Sequence, residues 1–332
     1  MPRLLFISFL LASIGCGDST TSGGGRAQPS FCTDPLTIEA SGVVDQDVVQ
    51  EPSGLVASRE HEGVYWTIGD SGAAPQLFAI TASGEVLGAV TLSGASAIDW
   101  EDLALGPGPA EGDYLYVGDI GDNFALAFPE SARANVAVIR LPEPDTESLG
   151  DNFELLLDPD EFDTLTLTYP DRPHNAETLM VHPTTGELVI VTKESDVLSE
   201  EQLDASVICV TPGNFIDGSE AVLVPVMNVD FELFPSLQQE AYEADPNTTR
   251  AAALPTAGDI AEDGSSIAVR TYGSLWMWPL EEGQSIGEAM GWAPCEARAA
   301  LEVQGESFAF TAASDAYLTV DESLNTIHEA LP

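Results

Sequence analysis

The segment Tyr114-Leu-Tyr-Val-Gly-Asp-Ile-Gly-Asp-Asn123 places the side-chain oxygens of Asp119, Asp122 and Asn123 within five residues, and Gly118 and Gly121 permit tight turns between them. Hard cations such as Ca²⁺ take roughly six to eight oxygens, part of them from backbone carbonyls. This segment offers two or three, so nearby acids would have to supply the rest. The spacing is not that of an EF-hand loop, and Asp-Gly clusters also serve simply as turns. Asp70-Ser-Gly72 carries the same ambiguity. The other singular group is Lys193, the sole lysine, which with nine arginines faces 55 carboxylates. It follows the β-rich run Glu187-Leu-Val-Ile-Val-Thr192. Of the four histidines only His174 stands next to an expected site acid, so zinc chemistry lacks ligands. There is no Gly-x-Ser-x-Gly elbow, P-loop or dinucleotide fingerprint.

These residues recur on a repeat. Five segments open with a small or acidic cluster and run into apolar residues: Glu51 to Ala57, Asp99 to Leu105, Asn175 to Val181, Thr256 to Ala261 and Gln304 to Phe310. Each is followed by a turn and a second β-rich run, and most by a third and fourth. Four antiparallel strands per repeated unit predict a β-propeller. Five blades are countable, with a sixth, degenerate one as the alternative around Val222 to Leu254. The last unit lacks chain for its outer strand, which Pro35-Leu-Thr-Ile-Glu39 can supply, closing the ring with the N-terminal segment. The acid- and Pro-rich stretches Pro142 to Glu161 and Phe231 to Arg250 read as surface insertions.

A ring fold turns register into proximity. Alignment on Leu55, Leu103, Leu179, Ile260 and Phe308 puts Ser53, Glu101, Glu177, Gly258 and Glu306 at one level, and Glu51, Asp99, Asn175, Thr256 and Gln304 two residues earlier. A second register, after the second strand, takes Asp70, Asp119, Lys193, Thr271 and Asp321, with Arg270 beside Thr271. Lys193 then either meets an anionic ligand together with Arg270 and His174, or neutralises carboxylates that could not otherwise stay ionised at close quarters. The expected ligand-binding set is Lys193, Arg270, His174, Glu101, Glu177 and Glu306; the expected cation set is Asp119, Asp122, Asn123, Asp70 and Asp99.

The formal charge of −45 disfavours nucleic acid and anionic lipid as partners. At 44% hydrophobic the chain can bury a core. The start, with Arg3, an apolar core from Leu4 to Ala12 and Ser13-Ile-Gly-Cys16, resembles a bacterial lipoprotein signal, departing from it at Ser13. That resemblance implies a signal peptide over 1–15, lipidation of Cys16, a flexible tether over 16–30 and a folded domain over 31–332, held to the membrane through the lipid alone. Cys32 and Cys295, in polar Pro-flanked segments, are the candidate disulfide; Cys209, in the apolar run Ser206-Val-Ile-Cys-Val210, reads as a buried hydrophobe.

The motifs Pro52-Ser-Gly-Leu55, Asp99-Trp-Glu-Asp102, Tyr116 to Asn123, His174-Asn-Ala-Glu177, Val191-Thr-Lys193 and Val269-Arg-Thr-Tyr272, taken together, resemble a group of exported bacterial β-propeller lipoproteins akin to TolB-like and NHL-type propellers. The resemblance implies six blades and leaves the chemistry open. The expected function is a monomeric, envelope-anchored propeller that binds a ligand or partner at one face, with Ca²⁺ in the axial acids. One alternative is a metal-dependent phosphoesterase similar to the propeller phytases, and another is a non-catalytic scaffold.

Overall fold

The computed structural model describes residues 27–70, 72–196, 201–202, 204–213, 215–231 and 252–331. The expected signal segment, Cys16 and most of the expected insertion over 231–250 lie outside these residues. Val, Ile, Leu, Tyr and Trp dominate the repeated runs, and they pair as antiparallel strands because branched and aromatic side chains suit a pleated surface buried on both faces. The strand Leu188–Thr192, for example, is buried along its whole length.

Five sheets form a five-bladed β-propeller. Blade one consists of Pro52–Ala57, Val64–Gly69, Gln76–Thr81 and Val86–Leu92, from the axis outward. Blade two consists of Trp100–Pro107, Asp113–Asp119, Val136–Pro142 and Asp163–Thr168. Ala176–Val181, Leu188–Thr192, Ser206–Val210 and Val224–Val229 make blade three, and Pro255–Ile260, Ser266–Thr271, Leu275–Pro279 and Cys295–Ala297 make blade four. In blade five, Ala309–Phe310, Tyr317–Val320 and Thr326–Leu331 are completed by the N-terminal strand Thr37–Val43. That strand pairs antiparallel with Thr326–Leu331, from Thr37 opposite Leu331 to Val43 opposite Thr326. The ring is therefore closed as the sequence predicts, a few residues later than Pro35 to Glu39.

The six-blade alternative is overturned. At the start of the stretch from Val222 that a sixth blade would have taken, Val224–Val229 completes blade three, and just before it Glu220–Val222 runs parallel to Asp163–Thr168 in blade two. A second added strand, Phe153–Leu157, lies inside the stretch read as a surface insertion and pairs parallel with Val86–Leu92 of blade one. Two blades thus carry a fifth strand drawn from chain further along.

The core is a set of five wedges, each filled by the facing sides of neighbouring blades. Trp66, Ile68 and Leu92 meet Trp100, Leu103 and Leu141 between blades one and two. Met180, Val191 and Ile208 meet Ile267, Trp276 and Trp278 between blades three and four. Burying one such side chain contributes about 1.5–3 kcal/mol, so the wedges fix the blades around the axis. The segment before the closing strand is clipped as well: Phe31 packs on Phe310 and Tyr317, and Cys32 is joined to Cys295 of blade four. Cys209 is free and buried.

Candidate functional site

One backbone hydrogen bond recurs in every blade and gives the true register. The residue just past the second strand donates its N–H to the carbonyl just before the first: Asp70 to Glu51 at 2.9 Å, Gly121 to Asp99 at 3.1 Å, Lys193 to Asn175 at 2.9 Å, Tyr272 to Leu254 at 3.2 Å and Glu322 to Gln304 at 2.9 Å. Lys193 therefore stands in line with Asp70, Gly121, Tyr272 and Glu322. The sequence alignment is one residue early in blade five, where Asp321 had been expected, and in blade four, where Thr271 had. In blade two Ile120 adds a residue, so neither Asp119 nor Ile120 reaches the ring.

A second device re-aims the inner strands. Their register slips at Glu101 in blade two, Glu177 in blade three, Thr256 in blade four and Gly54 in blade one. In blade five it slips between the Gly305–Asp321 bridge and Ala309, across Glu306. An extra residue in one strand changes which way the following side chains point, and here it carries an acid in three blades. Thr256, and not Gly258, is the blade-four member, two residues from its expected place. The bulges are stitched together: Ser53 Oγ donates to the Glu101 carbonyl at 2.6 Å, Thr256 Oγ1 to the Gly305 carbonyl at 2.6 Å, and Gly54 N–H to the Glu306 carbonyl at 3.2 Å.

Together these two levels build an acidic cluster around one ammonium. Lys193 Nζ pairs with Glu177 Oε1 and donates to Tyr272 Oη at 2.9 Å, lying 4.8 Å from the centre of the Tyr272 ring. Tyr272 in turn donates to Glu306 Oε1 at 2.5 Å. One carboxylate oxygen each of Asp70, Asp99 and Glu101 lies within 4.8 Å of the others, and the same holds for Asp70, Glu306 and Glu322. Glu101 is 3% exposed and Lys193 7%, whereas Asp70 is only half-buried. Gly121 makes the crowding possible: a Cβ there would fall 2.2 Å from Glu101 Oε1 and 2.4 Å from Asp99 Oδ2.

Crowded, desolvated carboxylates resist ionising. Burial first, then the charges of Glu177, Asp70 and Asp99, push Glu101 well above its ordinary range. Burial, followed by Asp70, lifts Asp99 to about 6. Glu177 rises to about 8 through burial, although Lys193 pulls the other way. Glu322 rises to about 10 through burial and its hydrogen bond with Glu306. Burial alone would lower Lys193, but Glu177 and Glu306 outweigh it and hold the ammonium above its ordinary value. Glu177 Oε2 is buried without a hydrogen-bond donor.

Of the expected residues, Lys193, Glu101, Glu177, Glu306, Asp70 and Asp99 come together, and five others serve elsewhere. Asp119 accepts from Arg133 Nη1 at 2.9 Å and from the Asp99 N–H at 3.0 Å. Asp122 accepts from the Arg133 N–H at 2.7 Å and gives its own N–H to Asn175 Oδ1 at 2.6 Å, while Asn123 Oδ1 accepts from Asn175 Nδ2 at 3.2 Å. These three fold the blade-two loop onto blade three. Arg270 is buried between blades four and five, with Nη2 2.6 Å from Glu302 Oε2 and Nε donating to the Gly305 carbonyl. His174 is held by Glu194 at 2.5 Å and Asp171 at 3.1 Å. Sequence reasoning missed Tyr272 and Glu322. The parallel between Val191-Thr-Lys193 and Arg270-Thr-Tyr272, each leaving its strand through threonine, could have located the former.

No family model and no curated protein matches this chain. Among solved structures, it is similar to the Cps50 (Swd1) β-propeller domain of Myceliophteria thermophila, at TM-score 0.41 and 9% identity, covering 89% of this chain and 100% of that one. It is also similar to a luciferin-regenerating enzyme, at TM-score 0.42 and 9% identity, covering 90% and 96%.

Proposed function

We propose that this protein is an envelope-anchored binding propeller whose axial acids hold a hard divalent cation of the Ca²⁺ class. The observation that carries this reading is the pair of carboxylate triads, Asp70–Asp99–Glu101 and Asp70–Glu306–Glu322, each with oxygens within 4.8 Å and sharing Asp70. Oxygen-only, carboxylate-rich donor sets suit Ca²⁺ rather than softer metals. The raised carboxyl pKa values and the undonated Glu177 Oε2 fit a site whose charge a cation would balance. A bound cation would keep these carboxylates ionised and stiffen the ring at that rim, where a partner or ligand would meet it.

Binding is favoured over phosphoester hydrolysis because the two cations that would meet a phosphate are engaged. Lys193 is committed to Glu177 and Tyr272, and Arg270 to Glu302. The anchoring rests on Cys16 and its preceding apolar run. The Cys32–Cys295 bond fits an oxidising compartment outside the cytoplasm.

The test is thermal melting with Ca²⁺ and Mg²⁺ at matched, high ionic strength. Millimolar Ca²⁺ raises the melting temperature of the wild type by several degrees and that of Glu101→Gln by much less. Equal shifts in both proteins, or none, would remove the cation from the reading.

A further inference from the structure

We propose that the opposite face carries a second site, a groove between blades three and four that takes a neutral, hydroxyl-rich ligand of the saccharide class. It is independent of the axial cluster. The turns joining first to second strands, and the ends of the third strands, lie on the face away from Lys193. There, residues from 182 to 213 in blade three and from 263 to 285 in blade four enclose a cavity of about 520 Å³. That is within the span of small-ligand sites, about 300–1,000 Å³.

His182 fixes the chemistry. It lines the cavity yet is 8% exposed. Its Nδ1 accepts the backbone N–H groups of Thr184 at 3.1 Å and Thr185 at 3.2 Å, so the proton of the neutral ring sits on Nε2. Burial lowers the pKa of this imidazole, which keeps it neutral near pH 7. With Nδ1 turned into its own loop, Nε2–H faces the cavity, and no acceptor engages it in the hydrogen-bond network of the described residues. On a side chain that lines the cavity, that donor is left for a ligand oxygen.

The remaining polar wall mixes neutral groups, Thr184, Thr185, Thr211, Gln284 and Ser285, with the acids Glu187, Asp263, Glu281 and Glu282, and among the described residues no lysine or arginine lines it. A metal ion or a polyamine could satisfy the carboxylates but cannot accept from Nε2–H. An anionic sugar could accept, but it would meet four carboxylates. A neutral sugar does both, because each hydroxyl is donor and acceptor at once. Leu280 and the backbone of Gly264 and Gly283 supply flat, weakly polar wall between the polar groups.

Saturation-transfer NMR on the full chain tests this, using maltose, cellobiose and N,N′-diacetylchitobiose as neutral probes, a glucuronic-acid disaccharide as the anionic one, and putrescine as the amine. At least one neutral disaccharide receives saturation, and the anionic one at least fivefold less. His182→Asn keeps an acceptor for the turn through its side-chain oxygen and removes the Nε2–H donor, so it lowers transfer at least fivefold. Glu282→Gln, on the groove's other wall, gives a second reading should the first variant fold poorly. Transfer to putrescine alone, to none of the neutral disaccharides, or undiminished in both groove variants would overturn the proposal.

Discussion

At the scale of single residues, the decisive group is Lys193. An ammonium 7% exposed is tolerable only because Glu177, Tyr272 and the nearby Glu306 replace its water. Removing it leaves Glu177 as a buried carboxylate with no counter-charge, a change that typically costs about 3–5 kcal/mol. Glu177 can escape that cost by protonating. Because Glu177 beside Lys193 titrates at about 8, Lys193→Met should lose clearly more stability at pH ~9, where the pair is ionised, than at pH ~6, where Glu177 is already protonated, read from urea unfolding at both values. An equal loss at both would mean that the side chain acts by packing rather than charge. The sequence alone already makes Lys193, Glu101, Glu177 and Glu306 neighbours, because the inner strands repeat as apolar runs with an acid at constant offset. It misplaces the partners of Lys193 because the end of a strand is set by a backbone hydrogen bond, which Ile120 shifts in blade two without changing the apolar pattern. Tyr272 and Glu322 were hidden by a separate one-residue error in blades four and five, and Thr256 by the likeness of Asp259-Ile260 to Asp102-Leu103.

At the scale of elements, closure carries the consequences. Blade five is completed by a strand from the other end of the chain, and Gly84, at φ +85°, lets blade one press so close that a Cβ would sit 2.2 Å from the Val43 carbonyl oxygen. The Cys32–Cys295 bond, spanning 263 residues of sequence, ties the start of that closing segment to the outer strand of blade four. Disulfides closing long loops typically stabilise by about 2–5 kcal/mol. Cys32→Ser should lose that amount, and reductant should bring the wild type down to the same stability while leaving the variant unmoved. A wild type indifferent to reductant would mean that the closing strand holds itself. The antiparallel strands and their order were legible because each is a compact apolar run bounded by turns. The two parallel additions were not. Phe153–Leu157 alternates buried and exposed positions inside an acid-rich stretch, and nothing local says which sheet edge it will meet. That information is tertiary.

At the scale of the whole molecule, the charge of −45 and the axial cluster push stability in the same direction with pH, and salt separates them. Asp99 near 6, Glu177 near 8 and Glu322 near 10 all lie above the unfolded carboxyl range of about 4. Between those limits the native state holds more protons than the unfolded chain, so stability is greatest in acid and declines as pH rises through each folded value. Across pH 5 to 8 Asp99 releases its proton and Glu177 begins to, so stability falls over this window. Repulsion among exposed carboxylates also grows over this range, but in 1 M KCl the screening length is about 3 Å, and only the buried groups still feel one another. Unfolding free energy measured in 1 M KCl should therefore still fall from pH 5 to pH 8, and Glu101→Gln/Glu177→Gln should flatten the curve. Saturating Ca²⁺ should flatten it too, because a bound cation takes the place of the protons and makes ionised carboxylates the favoured state. A wild-type curve already flat in 1 M KCl would show that the cluster ionises like surface acids, and its claim to hold a cation would go with it.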